Sequence, residues 1–349
     1  MNIGVIFGQM LVLLAMMAVG FFCYKKNWVS DETAGHLSKL AVNVFNPILV
    51  INGVLGQNSS AAGNSVAWNL MFIVLYFTLL LIIGAFLPVL LRPQDKHKSV
   101  YRLMTIFSNV GFMGIPVIKS IFGDGAMIYI AFYILGYNLM LYTVGMFLSI
   151  KAGDENHKYG RSYLEAMAAN GEGKNTAEAM QQVENHTLSA ERQSGVVAFF
   201  KRLMNPGVIA ALFAVVIFAF GIQMPGPVIT FCDYMGNTTI PLSMIMIGIS
   251  MAQANLRDVF GDVRIYIFVA LRMIALPILM TFALRGLVTA YAIDPVVFGV
   301  FIIELGMPVG SIIVMMAREK GADAAYCTKG VVVSTLASIL TIPIICAFL

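Results

Sequence analysis

Apolar runs about as long as a membrane is thick alternate with short polar interruptions along the whole chain. A helix needs roughly 20 residues to cross about 30 Å of hydrocarbon. A window of that length finds ten runs, at 3–24, 34–55, 66–91, 100–122, 126–150, 208–222, 228–252, 265–287, 296–317 and 322–349. The pattern predicts an all-α, polytopic membrane protein of ten transmembrane helices. Two runs contain a proline where a helix should continue: "SNVGFMGIPVIKSIFG" at 108–123 and "ELGMPVGSIIVMMA" at 304–317. Proline removes one backbone hydrogen bond and clashes with the preceding turn, at roughly 3 kcal/mol or more. Helices 4 and 9 are therefore expected to be broken, at Pro116 and Pro308.

The ten runs divide as five and five, and an odd number per half inserts the halves in opposite orientations. "GVIFGQMLVLLAMMAVGF" near the start resembles "GVIAALFAVVIFAFGI" after residue 206, and "NVFNP" before residue 48 parallels "NTTIP" before residue 242. The spacings agree, with 69 positions from Pro47 to Pro116 and 67 from Pro241 to Pro308. The chain thus reads as a first five-helix repeat (1–150), a linker (151–205) and a second, inverted repeat (206–349). The linker, with seven acidic and seven basic residues over 151–202, is polar and balanced and carries no evident chemistry.

Composition sharpens this picture. Hydrophobic residues make up 59% and charged residues 11%, and the mean hydropathy is +0.84, far from a soluble globule. Basic residues concentrate in alternate loops, at Lys25 and Lys26, at Arg92, Lys96 and Lys98, in the linker, at Arg257 and Arg264, and at Arg318 and Lys320. Cytoplasmic loops carry such an excess, so both termini are expected outside the cytoplasmic (inner) cell membrane. The N-terminus, without a basic leader region, reads as a retained span. The net charge of +4 therefore reports orientation and gives no reason to expect nucleic acid as a partner. Four scattered cysteines and 23 methionines suggest packing, with no metal site. No G-x-x-x-x-G-K-[ST] phosphate cradle is present, no paired carboxylates or Ser-His pair lies within the runs, and no charged ring suggests a channel filter. No catalytic residue and no cofactor are expected.

Non-helical backbone at membrane depth is tolerated where it is buried in protein or lines a watery cavity. Broken helices in corresponding positions of two repeats point to a midplane binding site. The candidate substrate site is therefore the two turns Gly114-Ile115-Pro116 and Gly306-Met307-Pro308-Val309, with the N–H groups of Gly114 and Gly306 freed toward an anion, joined by Asn109. Asn43 and Asn237 either line this cavity from the opposite wall or satisfy backbone groups at the nearby prolines. Glu304, a carboxylate at membrane depth, is a functional candidate by its cost alone, about 2.5–3.5 kcal/mol. It either binds a coupling cation, carries a coupled proton, or pairs with Arg272 as structural glue.

Several of these stretches resemble the auxin efflux carrier family, which includes plant auxin exporters and bacterial malate and malonate permeases. "NVGFMGIPVIKSIFG" is similar to its crossover helix, "RLMNPGVIAAL" and "IPLSMIMIGISMA" to its spans six and seven, and "MPVGSIIVMMAREKGAD" with "VVVSTLASILTIPI" to its last two. The resemblance implies the fold of the bile acid sodium symporters. Spans one, two, six and seven would form a scaffold, and the other six an elevator-type transport domain with substrate at the crossing of helices 4 and 9. It implies a small organic anion as substrate, membrane lipid as surroundings and a homodimer. The symporters coordinate sodium with a Ser-Asn and a Glu-x-Gly-Met, which fall here on Ser108, Asn109, Glu304, Leu305 and Met307, so a bound sodium ion is implied. The chain departs from them at Pro308-Val309, where the symporters carry Gln-Asn.

Overall fold

In the computed structural model, which describes residues 3–55, 63–169, 206–253, 259 and 261–349, regular structure is helical apart from one antiparallel bridge between Ser108 and Val309. The helices are α1 (Ile3–Lys25), α2 (Asp31–Leu40), α3 (Asn46–Asn52), α4 (Gly63–Leu91), α5 (Lys98–Ile106), α6 (Ile115–Phe122), α7 (Met127–Met140) and α8 (Met146–Ala169). After the linker follow α9 (Pro206–Phe220), α10 (Gly226–Gln253), α11 (Val263–Ala270), α12 (Leu276–Ala290), α13 (Pro295–Gly306), α14 (Ile312–Glu319) and α15 (Ala324–Phe348). Linker residues 170–205, loop residues 56–62 and Arg257 lie outside the described residues.

Among the described residues six helices are long and apolar enough to cross a membrane: Ile6–Lys25, Asn64–Leu91, Asp124–Ser162, Gly226–Gln253, Val263–Ala290 and Ala324–Phe348. The chain is thus a multi-pass membrane protein. The other four apolar runs of the sequence fall on helices that are interrupted or short: α2–α3, α5–α6, α9 and α13–α14. Large apolar side chains such as Val74, Phe86, Phe147 and Phe220 stand exposed on outer faces, as lipid-facing residues would.

Proline explains much of the local irregularity, though not in the manner the sequence suggests. Among the described residues wider π turns span Ala41–Phe45, Val110–Gly114, Leu141–Gly145 and Leu271–Ala275, and three of these four lie just ahead of a proline: Pro47, Pro116 and Pro277. A proline cannot donate to the carbonyl four residues back, and the ladder widens there instead of opening. Pro88, Pro241 and Pro343 lie inside unbroken α-helices.

Helices α1, α3, α9 and α10 pack on one another, α1 against α10 and α3 against both α9 and α10. Helix α4 packs on α5 and α13, α5 on α8, and α12 on α13; α15 and α7 meet the first group through α1 and α9. Where α1 crosses α10 the backbones touch: a β-carbon on Gly20 would strike the Ile245 carbonyl, and one on Gly248 the Met17 carbonyl. The segment expected to be a linker from 151 starts as a continuation of α8, which runs to Ala169. This extension grips its neighbours. Glu155 accepts from the Ser99 N–H at 2.8 Å and its hydroxyl at 2.7 Å, and Asn156 donates to the Gly321 carbonyl at 3.0 Å. Nearby, Asp323 caps α15 and bonds His97 at 3.0 Å. That bond, with the Tyr326 N–H and the charge on Lys96, holds Asp323 down to about 2.

Candidate functional site: the crossing of two interrupted helices

The run at 100–122 leaves the helix at Phe107, nine residues before Pro116. Phe107 is extended (φ −103°, ψ 91°), and Asn109 caps the turn that follows, its side chain accepting from the Phe112 N–H at 3.2 Å. Short polar side chains that bond nearby backbone compete with the helical ladder, and Asn109 does so here, while the Ser108 hydroxyl is held by distant side chains. The run at 296–317 stops after Gly306 and resumes at Ile312, so Pro308 does lie in a break. The two gaps cross and pair. Asn109 N–H donates to the Pro308 carbonyl at 2.7 Å, Gly310 N–H to the Phe107 carbonyl at 2.9 Å, and Val309 N–H to Ser334 Oγ at 3.0 Å. A β-carbon at residue 310 would stand 2.8 Å from the Ser108 carbonyl oxygen, so only glycine permits this approach.

Two expectations are corrected by this geometry. Pro116 does not unwind its helix; it sits in the first turn of α6, directly after the π turn that absorbs its missing donor. The Gly114 N–H is not free, since it donates to the Asn109 carbonyl at 2.9 Å, and Gly306 closes the C-terminal end of α13. Such an end leaves carbonyls unpaired, not N–H groups.

Those carbonyls are met by Arg272, 1% exposed and carried on the π turn between α11 and α12. Its Nε donates to the Thr105 carbonyl at 3.2 Å, and its Nη1 to the carbonyls of Leu305 and Met307, both at 2.7 Å. Its Nη2 donates to Ser108 Oγ, which also bonds the Tyr76 hydroxyl at 2.7 Å. Glu304 is not its hydrogen-bond partner. Both carboxyl oxygens of Glu304, 0% exposed, have no partner among the described residues, and neither do Asn109 Nδ2 and Tyr133 Oη. The Glu304 carboxyl lies against Gly114, where an added β-carbon would come within 2.5 Å of Oε1. Among the described residues Arg272, Tyr76, Tyr133 and Tyr137 are the charged and titratable groups that interact electrostatically with it.

Ile115, Pro116, Met307 and Val309 are buried around the crossing. Asn43 and Asn237 are exposed, and Asn43 donates to the Lys39 carbonyl at 2.8 Å, a local backbone role. The residue of "NVFNP" that meets the crossing is Asn46: its Nδ2 lies 3.6 Å from the position of a β-carbon on Gly111, and its buried Oδ1 has no partner. Its place directly before a proline was a usable signal. Arg272 carried one as well, a full charge in the middle of an apolar run.

A cavity of about 740 Å³ separates the α2 and α10 side from the α14 and α15 side and reaches both breaks, where Phe112, Ser311 and Ile312 line it. Lys39, Arg318 and Lys329 line it as well, against Asp31 and Glu319. Glu319 bonds Lys320 at 3.0 Å, and Asp31 bonds Tyr24 and Gln253 at 2.7 and 2.8 Å. Glu319 is thus paired with Lys320, while the partners of Asp31 are neutral and its charge faces Arg318, so three basic against two acidic side chains leave the wall with a small positive excess.

The family described as Membrane transport protein matches residues 5–346. An uncharacterized transporter of Methanothermobacter thermautotrophicus is 22% identical over 341 residues, 96% of this chain and 95% of that protein. An uncharacterized transporter of Methanocaldococcus jannaschii is 20% identical over 340 residues, 95% of each.

Proposed function

The chain belongs to the membrane transport protein family, the auxin efflux carriers that its sequence resembles, and from that premise we propose that it moves a small organic anion by alternating access. It is a transporter and not an enzyme. The proposed substrate is a carboxylate of the malate, malonate or auxin-like kind, carried across the cytoplasmic membrane. The observation that carries this reading is the cavity: it ends on two helix interruptions and has Lys39, Arg318 and Lys329 in its walls. Unpaired N–H groups in the first turn of a helix favour an anion; Ser311 opens α14 with no side-chain cap, and although the Ile313 and Val314 N–H groups are taken by the Gly310 and Ser311 carbonyls, the turn faces the cavity through Ser311 and Ile312. In this reading ten helices cross the membrane as two inverted repeats, 1–150 and 206–349, with both termini outside. The α4–α8 and α11–α15 group slides as an elevator against α1–α3, α9 and α10, and the cavity at the basic end is the inward-facing state.

Glu304 carries the coupled proton in this mechanism. A fully buried carboxylate without partners costs several kcal/mol unless it is neutral or beside a cation, and an acid that gains and loses a proton as the site opens and closes meets that constraint. The test is uptake of labelled mono- and dicarboxylates into proteoliposomes, with proton and sodium gradients imposed separately. Saturable uptake and counterflow accelerated by a proton gradient are expected, with Glu304→Gln keeping counterflow and losing the acceleration. Flux that never saturates and shows no counterflow would make the protein a passive facilitator or channel. An unchanged proton response in Glu304→Gln would remove Glu304 from coupling.

A further inference from the structure

Arg272 is the largest fully enclosed side chain among the described residues, and the transport reading above gives it no task. Four of its donated bonds end on oxygens that belong to the two interrupted helices: the Thr105 carbonyl in the last turn of α5, Ser108 Oγ in the first gap, the Leu305 carbonyl in the last turn of α13 and the Met307 carbonyl in the second gap. Three of the four are main-chain carbonyls at or just past helix C-termini, where the backbone dipoles sum to partial negative charge. Two negative helix ends meeting around carbonyl and hydroxyl oxygens form the surroundings in which unwound transporter helices coordinate a monovalent cation. Here those oxygens are already taken. Ser108, Leu305 and Met307 are also three of the positions at which sequence resemblance implied sodium coordination, and each bonds the guanidinium instead. The π turn ahead of Pro277 supplies Arg272 from outside both interrupted helices, so one rigid, permanently charged fork ties the two gaps to a third helix.

We propose that Arg272 is a tethered cation: its guanidinium occupies the place at the crossing where a mobile sodium ion would sit, and frees transport from a sodium requirement there. The transport half rests on the function proposed above; the binding half does not. If the charge is what matters, removing it leaves carbonyls with no donor, and a small cation added from solution refills the space.

The test uses full-length protein with Arg272 replaced by Ala, Lys or Met, read two ways. In detergent, thermal unfolding is followed with and without millimolar guanidinium or sodium. The expected result is a lowered melting temperature in Arg272→Ala that guanidinium or sodium raises, no such rise in wild type, and none in Arg272→Met, whose side chain fills the space without charge. In proteoliposomes, wild-type uptake is expected to be the same in sodium and in choline, Arg272→Lys to retain uptake, and Arg272→Met to lose about tenfold or more, as loss of a buried charge among its partners implies. Arg272→Met as stable and as active as wild type would overturn the proposal, as would wild-type uptake that requires sodium. Should Arg272→Ala fail to fold, the comparison of Lys with Met decides. Absence of any organic-anion uptake would sink the function proposed above and leave the melting comparison intact, whereas proton-driven uptake with no cation effect on Arg272→Ala would sink the tethered-cation idea alone.

Discussion

Ser334 allows the crossing to be tested by deleting one oxygen atom. Its Oγ accepts the Val309 N–H at 3.0 Å and donates to the Val331 carbonyl at 3.1 Å, and both Ser334 and Val309 are 0% exposed. Ser334→Ala leaves the Val309 N–H without an acceptor in a place water does not reach. An orphaned buried donor costs about 1–3 kcal/mol. Ser338, one turn further along α15 and also 0% exposed, donates to the Thr335 carbonyl at 2.6 Å and touches Met113 Sδ at 3.8 Å. Its hydroxyl accepts no backbone N–H among the described residues, so Ser338→Ala removes the same atom without orphaning a donor and is expected to cost about 0.5 kcal/mol, the low end of the net worth of one hydrogen bond. Cys327 and Cys346 are free and buried, so a thiol-reactive fluorophore reports unfolding in detergent. With about 2 °C per kcal/mol for a chain of this size, Ser334→Ala is expected to melt about 2–6 °C lower and Ser338→Ala within about 1 °C of wild type. Equal shifts in the two variants would refute the reasoning, because they would show that the break is not held by this hydrogen bond.

Two further predictions concern the site walls. Gly114→Ala drives a β-carbon toward Glu304 Oε1 and is expected to destabilise by about 1–3 kcal/mol; combined with Glu304→Ala the penalty should shrink by about 1 kcal/mol or more, and additive melting shifts would count against the contact. Asn46→Ala, beside Gly111 at the crossing, is expected to lower the rate of saturable uptake several-fold. Asn43→Ala, which removes only an exposed bond to the Lys39 carbonyl, should leave uptake unchanged, and the reverse ranking would show that the wrong asparagine has been placed in the wall.

What the sequence settled by itself follows from solvent. Helices must satisfy their own backbone in lipid, so runs such as 66–91 and 322–349 read directly as helices, and α4 and α15 lie where those runs lie. A charged residue in an apolar run is costly wherever it sits, so Glu304 stood out before any contact was known, with Arg272 named beside it only as a structural partner. The position of the first break was not legible, because proline signals only a missing donor. Three prolines were absorbed by π turns and three by continuous helices, while the gap opened at Ser108-Asn109, where a second chain segment stands ready to pair. Nor could the sequence say what the gaps present. Seen alone, a broken helix offers N–H groups to an anion on one side and carbonyls to a cation on the other. Which of these stays free depends on a residue 33 positions before Leu305 and 164 after Ser108. Only the packing of α11 and α12 against both interrupted helices brings Arg272 to the carbonyls, and that long-range placement decides the electrostatics of the crossing.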